Sequence, residues 1–388
     1  MRWISIFRKT MIESLRDPLG LSLTLIFSPL FVLLYWLFTA GGSTTYPVVV
    51  INQDRGAVQP DGQTFSAGAE VVRAIGEVTY SDGQPVLKIL MARSQAEAEK
   101  LLRNRSAVAF VLIPEDFSSA ILRVRQGDRS THARISFGGD LTNPYYTVGA
   151  IFATTAVDRY VQQTTGQKPL IEYIETPLGA SAARTEFENY IPGLFIFAVI
   201  MMIFLASMTI TREVEAGTFR RLQLTRMTSI EFMGGITCAL TLIGLASALL
   251  TFLAAIALGF RSQGPLWLGV VIVLLTCISM IGTGLLIARF SRTVTQAFLL
   301  ANFPLGIFMF FSGAAFPMPR VTLLTIAGQP IGLYDILPAT HAVAALNKIF
   351  TLGAGLAELG YEICALTFLS LVYFLIGVWL FNRHLKAQ

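Results

Sequence analysis

Charged residues are scarce in this chain of 388 residues. Lys, Arg, Asp and Glu make up 14% of the sequence, whereas 54% of it is hydrophobic. That balance lies outside the range of soluble domains, so the composition excludes an ordinary soluble protein and predicts a polypeptide that crosses a bilayer several times. The formal net charge of +5 is too modest to indicate nucleic acid as a partner.

Cysteine and histidine are also rare, with three of each. The cysteines lie within apolar runs without paired or metal-like spacing, which is typical of small packing residues and not of a disulfide framework. The histidines lie far apart in the sequence, so we expect no shared metal site. These residues are Cys238, Cys277, Cys364, His132, His341 and His384.

Nucleotide-binding and catalytic motifs are missing as well. The sequence has neither a G-x-x-x-x-G-K-[ST] phosphate loop nor an H-E-x-x-H zinc motif. The apolar runs contain essentially no Asp, Glu, Lys or Arg, although transport driven by protons or sodium usually needs ionisable groups at membrane depth. We therefore expect an energy source outside the chain and no cofactor within it, and an intramembrane enzyme is disfavoured.

Long apolar runs are what the sequence does contain. A transmembrane helix needs about 20 residues to cross roughly 30 Å of hydrocarbon, and the runs predict an α-helical polytopic membrane protein with six transmembrane helices. The first run exceeds a typical signal-peptide core and should stay as an anchor, although Gly41-Gly42-Ser43 after it resembles a cleavage context. The predicted spans are residues 19–40, 188–211, 234–260, 266–288, 294–316 and 363–381.

The distribution of basic residues predicts the orientation. Basic residues flank one side of the predicted spans, whereas the short opposite loop between the third and fourth spans contains only Arg261. The positive-inside rule therefore places both termini in the cytoplasm, with residues 382–388 as a short tail. The flanking basic residues are Arg2, Arg8, Lys9, Arg16, Arg212, Arg220, Arg221, Arg226, Arg289, Arg292, Arg383 and Lys386.

Residues 41–187 differ from the rest of the chain. Short strand-like runs, such as residues 46–51, alternate with helical patterns, and Ser94 with Glu97 has the signature of a capping box. This alternation predicts an inserted mixed α/β domain. A long translocated domain largely escapes the charge rule, so the domain is expected on the extracytoplasmic side.

Two segments next to the spans are amphipathic. Apolar residues recur at intervals of three and four from Ile4 to Leu15, so residues 1–18 predict a cytoplasmic interfacial helix, although a basic start that only sets the topology is equally compatible. Residues 212–233 have apolar residues at near-helical intervals and exposed charges that suit a soluble partner. The alternative for this second segment is an ordinary solvated loop.

The region from the fifth span to the sixth has a mixed character. Asn302, Ser312 and Gly313 add polar and small residues to the fifth span, which favours a substrate path, and helix packing explains them as well. Residues 317–362 are apolar but interrupted by proline, and they predict re-entrant or interfacial structure on the outer face. A plain outer loop is the alternative.

Several short motifs follow one another along the chain. They are the basic N-terminal helix, VVVINQD at 48–54, AEKLL at 98–102, FVLIPEDF at 110–117, RE at 212–213, EAGT at 215–218, SGAAFP at 312–317 and LPATHAV at 337–343. Their order resembles that of the permease subunit of an ABC-2 type exporter, in the branch with a large extracytoplasmic domain after the first span. The resemblance covers essentially the whole chain.

The resemblance implies an assembly. Two permeases, identical or paralogous, pair and are driven by two separate cytoplasmic ATPase subunits, which bind the ATP. In this family the amphipathic segments contact the ATPase. The resemblance therefore assigns contact with the ATPase to Glu213, Glu215, Gly217, Thr218 and Arg221.

The resemblance also implies a function in the bacterial cytoplasmic (inner) membrane. The expected activity is export of an amphipathic substrate, whether drug-like, lipid or peptide, from the cytoplasm or the inner leaflet. Membrane lipid and a periplasmic adaptor remain open as further partners. The alternative is a non-transporting scaffold or receptor that acts through its extracytoplasmic domain, and co-purification of an ATPase would separate the two.

The orientation is testable by labelling. Single cysteines at Asp82 and Gln388, in a background without the native cysteines, are treated with an impermeant maleimide on intact cells. We expect labelling at residue 82 and none at residue 388 until the cells are lysed. Labelling at 388 but not at 82 would reverse the topology.

Overall fold

The computed structural model describes residues 2–39, 44–60, 62–80, 83–128, 131–141, 143–166, 185–218, 228–316, 321–326 and 329–387. The chain divides into two compact units. The α/β unit is Gly41–Thr176, and the helical unit combines Met1–Ala40 with Pro177–Gln388.

The elements follow one another in the order of the chain. The helical unit begins with α1 (Arg2–Leu15), α2 (Pro18–Leu25) and α3 (Phe27–Thr39). The α/β unit contains β1 (Tyr46–Asn52), β2 (Ala57–Val58), β3 (Thr64–Phe65), α4 (Ala67–Gly76), β4 (Leu87–Met91), α5 (Gln95–Arg103), β5 (Ala109–Ile113), α6 (Phe117–Arg125), β6 (Ser136–Gly139) and α7 (Pro144–Thr165). The helical unit resumes with α8 (Glu186–Ile200), α9 (Met202–Glu215), α10 (Ser229–Ala257), α11 (Leu266–Phe290), α12 (Val294–Phe311), β7 (Thr322–Ile326), β8 (Gln329–Gly332), α13 (Pro338–Leu352) and α14 (Gly360–Ala387).

The α/β unit is built on a four-stranded sheet in the order β4-β1-β5-β6. β1 pairs in parallel with β4 and β5, and β6 pairs antiparallel with β5. Successive side chains of a strand point to opposite faces. Val48 and Val50 therefore join the core beneath α4, α6 and α7, whereas Val49 and Ile51 join the core beneath α5. A strand buried on both faces needs the continuous apolar run that β1 has.

Asp54 lies just after β1 and connects two helices of the α/β unit. Its Oδ2 accepts hydrogen bonds from the Gly68 N–H at 2.9 Å and the Ser118 hydroxyl at 2.6 Å, and its Oδ1 accepts from the Ser118 N–H at 2.9 Å. These groups lie in the first turns of α4 and α6, where a carboxylate stabilises the exposed N–H groups. The last residue of the VVVINQD motif thus has a structural role.

Five helices in the described part of the chain are long and apolar enough to cross a membrane. They are Phe187–Glu215, which combines α8 and α9, Ile230–Ala257, Leu266–Phe290, Val294–Phe311 and Leu356–Phe381. The predicted first span, residues 19–40, is instead divided into α2 and α3. Pro29 explains the division, because it has no N–H to donate to the Leu25 carbonyl, the residue at which α2 ends. The count of six spans stays a prediction.

Several boundaries differ from those predicted. The fifth span was expected to reach residue 316, but α12 ends at Phe311 with Ser312 at the cap. Gly313 follows with a φ of 82°, the left-handed conformation that commonly ends helices. α9 continues to Glu215, beyond the expected end at residue 211. α14 extends through the predicted tail to Ala387.

Within residues 321–362, α13 belongs to the core of the helical unit, whereas residues 321–325 are exposed. β7 and β8 form an antiparallel hairpin, and short 3₁₀ helices at Leu333–Ile336 and Leu356–Leu359 flank α13. α13 packs against α8, α11 and α14. Its buried residues include Ala339, His341, Ala342, Val343 and Leu346. This packing is that of a core helix and not of a solvated loop.

α1 packs along α10 at a position where only glycine fits. A Cβ at residue 235 would lie 2.7 Å from both the Trp3 carbonyl oxygen and the Ile6 Cβ. The neighbouring Gly234 has nothing within 4 Å of the corresponding point. Gly235 therefore sets how closely the N-terminal helix approaches α10.

Substituting these two glycines tests the packing of α1. Gly235→Ala should lower the free energy of unfolding by about 1–3 kcal/mol, because it overpacks the contact with α1. Gly234→Ala is the matched control and should change stability by at most about 1 kcal/mol, in the stabilising direction. Thermal unfolding of the purified protein measures both. Equal effects of the two variants would contradict this close approach.

Candidate functional site

A cluster of charged side chains lies at the C-terminal end of α9. Glu213 is 5% exposed, and its Oε1 accepts a hydrogen bond from Lys9 Nζ of α1. Arg212 Nη2 donates to Asp17 Oδ2 at 2.6 Å, just before α2. Two ion pairs therefore connect α9 to the N-terminal segment.

Glu13 adds a second carboxylate to this cluster. Lys9 Nζ lies 3.6 Å from Glu13 Oε1, one helical turn along α1. Burial raises the pKa of Glu13, the neighbouring charge of Glu213 raises it further, and Lys9 opposes both effects. One lysine thus faces two carboxylates, and that shared position makes Lys9 the central cation of the cluster.

The remaining predicted coupling residues extend past the end of α9. Glu215 is exposed, and its Oε2 accepts a hydrogen bond from the Val294 N–H at 2.9 Å, where its charge also suits the N terminus of α12. Gly217 has a φ of 64°, and Thr218 is half-buried. Arg221 lies outside the described residues. The ATPase-coupling role of these residues stays a prediction.

The structure differs from the sequence interpretation at Glu213. Residues 212–233 were expected to expose their charges. Instead α9 continues for a further turn, and Glu213 is buried in the helical core. Sequence reasoning also missed both ion pairs, since Lys9 and Arg212 were listed among the flanking basic residues and neither was paired with an acidic residue. The sequence did contain a signal for these pairs. Charged residues lie within one turn of the end of the second apolar run, and residues of opposite charge lie in the N-terminal amphipathic segment.

A cavity of about 500 Å³ lies at the other end of the helical unit. It is open to the surface on one side and bounded by the start of α8, the end of α12, the 332–335 segment, α13 and the start of α14. Its lining residues are Asn189, Tyr190, Gly193, Phe311, Ser312, Gly313, Ala314, Val321, Gly332, Tyr334, Asp335, Thr340, His341, Val343, Ala344, Asn347, Tyr361 and Glu362. Apolar, aromatic and polar groups are mixed in its wall.

Two of the three predicted substrate-path residues line this cavity. Ser312 is buried and Gly313 is half-buried. Asn302 lies elsewhere: it is exposed on α12, and its Nδ2 donates to the Phe298 carbonyl at 2.9 Å. The structure thus brings Ser312 and Gly313 together and separates Asn302 from them. Their part in a substrate path is not tested by this placement.

The polar groups of the cavity are held in place by hydrogen bonds. His341 is buried, and its Nε2 donates to the Asp335 carbonyl oxygen at 2.8 Å. Lys348 Nζ donates to Glu362 Oε1 at 2.7 Å, and Glu362 is 6% exposed. Sequence reasoning did not single out either partner of this pair. Within the described ranges, no group of three or more His, Cys, Asp or Glu residues could hold a metal ion.

The two sites lie at opposite ends of the segment formed by α8 and α9. From Tyr190 in the cavity wall to Glu213 in the charged cluster, a rise of 1.5 Å per residue gives about 35 Å. This length exceeds the hydrocarbon thickness of roughly 30 Å. The segment is therefore long enough to place the two sites on opposite sides of a bilayer.

Comparison with known proteins gives the family. Residues 19–379 match the model of the ABC-2 family transporter proteins. The chain belongs to the ABC-2 transporter family. It is accordingly a multi-pass membrane permease, in keeping with its apolar helices.

A curated relative of this ABC-2 permease is the daunorubicin resistance ABC transporter permease protein of Streptomyces coeruleorubidus. The two are 28% identical over 201 residues, which cover 48% of this chain and 66% of the relative. The chain therefore spans just under two thirds of that protein's length. The relative's name describes a drug-resistance permease.

A double-mutant cycle on Lys9 and Glu213 tests the charged cluster. Lys9→Ala and Glu213→Ala should each lower the free energy of unfolding by about 1–3 kcal/mol, because each leaves the other, partly buried charge of the pair without this partner. The double variant should be less destabilised than the sum of the two. Chemical or thermal unfolding of the purified permease measures these differences.

The exposed pair of Glu99 and Arg103, whose atoms lie 3.6 Å apart on α5, supplies the control. Glu99→Ala should change the free energy of unfolding by at most about 0.5 kcal/mol. Strict additivity of Lys9→Ala and Glu213→Ala would show that the two side chains do not interact in the folded protein.

Proposed function

We propose that this ABC-2 permease is the membrane subunit of an ATP-driven exporter. It moves an amphipathic substrate, whether drug-like, lipid or peptide, out of the cytoplasm or the inner leaflet of the bacterial inner membrane. The observation that carries this proposal is the family match over residues 19–379, together with a relative whose name describes a drug-resistance permease. ATP is bound and hydrolysed on separate cytoplasmic subunits, since the sequence has no phosphate loop of its own.

In the proposed arrangement the charged cluster faces the cytoplasm and the ATPase. Support comes from the basic residues around it, which the positive-inside rule assigns to that side. Glu213 is occupied by Lys9, so it holds the end of α9 against α1 and is not itself the ATPase contact. Glu215, Gly217 and Thr218, which are exposed or half-buried, are left to make that contact together with Arg221.

The first crossing of the membrane in this proposal is formed by α2 and α3 together, which completes six spans. The α/β unit then lies outside the cell and both termini lie inside. The cavity at the start of α8 opens toward the outer side. An outer position of this cavity suits the late part of an export path, before the substrate leaves.

A second permease, a copy or a paralogue, is proposed to cover α12. α12 and the last candidate span, Leu356–Phe381, are the least buried of the five candidate membrane helices. Large apolar side chains line the exposed face of α12. They are Leu299, Phe303, Ile307 and Phe310. Asn302 lies beside that face, and an exposed amide is better tolerated against protein than against lipid tails. This supports a permease partner there.

Charge changes at Glu215 test coupling to the ATPase. Glu215→Lys should lower ATP-driven export in liposomes at least about tenfold, because it reverses a charge at the proposed contact and removes the acceptor of the Val294 hydrogen bond. Glu215→Gln keeps that acceptor and should show whether the charge itself matters. Glu358→Lys, an exposed change at the other end of the unit, is the control and should export normally.

Two results would count against the proposal. Normal export by Glu215→Lys would exclude coupling through this carboxylate. Absence of ATP-dependent movement of every amphiphile tried, with the ATPase subunits bound, would favour a scaffold or receptor instead.

A further inference from the structure

We propose that the cavity between α8, α12, α13 and α14 binds the protonated amine of an amphiphile, with Glu362 as the anchoring carboxylate. The place of this cavity in a transport path rests on the proposed export function. Binding itself is a property of the permease alone.

The hydrogen bonding of Glu362 is incomplete. Its Oε1 accepts from Lys348 Nζ at 2.7 Å, but its Oε2 is buried and has no hydrogen-bond partner among the described residues. Leaving a buried charged acceptor unpaired is costly. Oε2 itself has almost no accessible surface, so a ligand in the cavity reaches it after a rotation of the Glu362 side chain, and an ammonium group would then satisfy it with a charge-assisted hydrogen bond.

The charge of the described wall favours a cation. Asp335 and Glu362 both line the cavity, and no lysine or arginine is among its described lining residues. Lys348 contacts Glu362 from outside that set and compensates one of the two carboxylates. A phosphate or carboxylate ligand would find no described cation in the wall to neutralise it, whereas an ammonium group would find acceptors.

Aromatic rings in the same wall suit the rest of such a molecule. Tyr190, Phe311, Tyr334 and Tyr361 line the cavity, and the rings of Phe311 and Tyr334 stack with centroids 5.4 Å apart. Ring faces attract cations and also cover apolar surface. The volume of about 500 Å³ lies in the range that holds a drug-sized ligand.

A matched pair of fluorescent probes tests the proposal. Dansylcadaverine has a primary amine on an apolar dansyl body, and its N-acetyl derivative keeps the body without the charge. The full-length permease in phosphatidylcholine nanodiscs is titrated with each, and dansyl emission reports binding. We expect the amine to bind at least about tenfold more tightly than the acetylated probe, the difference produced by one charge-assisted hydrogen bond.

Substitution of the carboxylate identifies the anchor. Glu362→Gln should weaken binding of the amine about tenfold and leave the acetylated probe unchanged. Glu358→Gln, an exposed change one turn earlier that retains an acceptor for the Gly355 N–H, should bind both probes like the unchanged protein. Equal amine affinities of Glu362→Gln and Glu358→Gln, or equal binding of the two probes by the unchanged protein, would overturn the proposal.

Two further variants keep the test decisive. If Glu362→Gln leaves Lys348 unpaired and the protein fails to fold, Lys348→Gln combined with Glu362→Gln removes both charges and must show the same loss of amine preference. Ala344→Phe, which fills the wall, should weaken both probes. Binding of the amine that persists in Ala344→Phe would place it outside the cavity and contradict the proposal.

Lipid headgroups provide a second source of the same amine chemistry. Titrations are repeated in discs that contain phosphatidylethanolamine. Competition by this lipid would identify the ligand as a membrane amine, and unchanged binding would identify a free amphiphile. If the amine binds but no ATP-driven export occurs, the proposed function is wrong and this inference stands. If export occurs but binding of the amine does not depend on Glu362, this inference is wrong and the proposed function stands.

Discussion

The ion pair between Lys9 and Glu213 determines how the N-terminal part of the helical unit is arranged. A carboxylate buried at the end of an apolar helix is tolerated only beside a cation, so α1 has to lie against the end of α9. Gly235 permits α1 to approach α10 closely enough for this contact. Asp17 caps α2, since its Oδ1 accepts a hydrogen bond from the Gly20 N–H at 3.1 Å and Pro18 follows at the first helical position. The second pair, between Arg212 and Asp17, connects this start of α2 to the end of α9.

The same segment that ends in this cluster begins in the wall of the cavity. α8 and α9 are largely buried and pass through the centre of the helical unit. A displacement at Glu213 is thus transmitted along packed helices to the surroundings of Tyr190, because a close-packed interior moves as a body more readily than it deforms. This connection gives the proposed coupling of ATP hydrolysis to release at the outer side a physical route.

The apolar helices could be predicted from the sequence to within a few residues because the length of an apolar run limits where a membrane helix lies. Two of their ends were predicted wrongly, because Pro29 divides the first run and Gly313 follows the early end of α12. Both residues are local signals that were available in the sequence and were not used. The pairing of Lys348 with Glu362 and the burial of Glu213 depend on contacts between distant elements, which no local pattern contains. For the same reason Asn302 was grouped with Ser312 although they are not neighbours in the fold.

Cross-linking α1 to α9 tests most directly whether the two move together during export. Cysteines replace Lys9 and Glu213 in a background without the native cysteines, and a short bis-maleimide joins them in the assembled transporter. The proposed coupling predicts that ATP-driven export by the cross-linked complex equals that of the same variant before cross-linking. Loss of export on cross-linking, with the same variant active when each cysteine is blocked separately, would show that α1 and α9 must separate and would contradict the account.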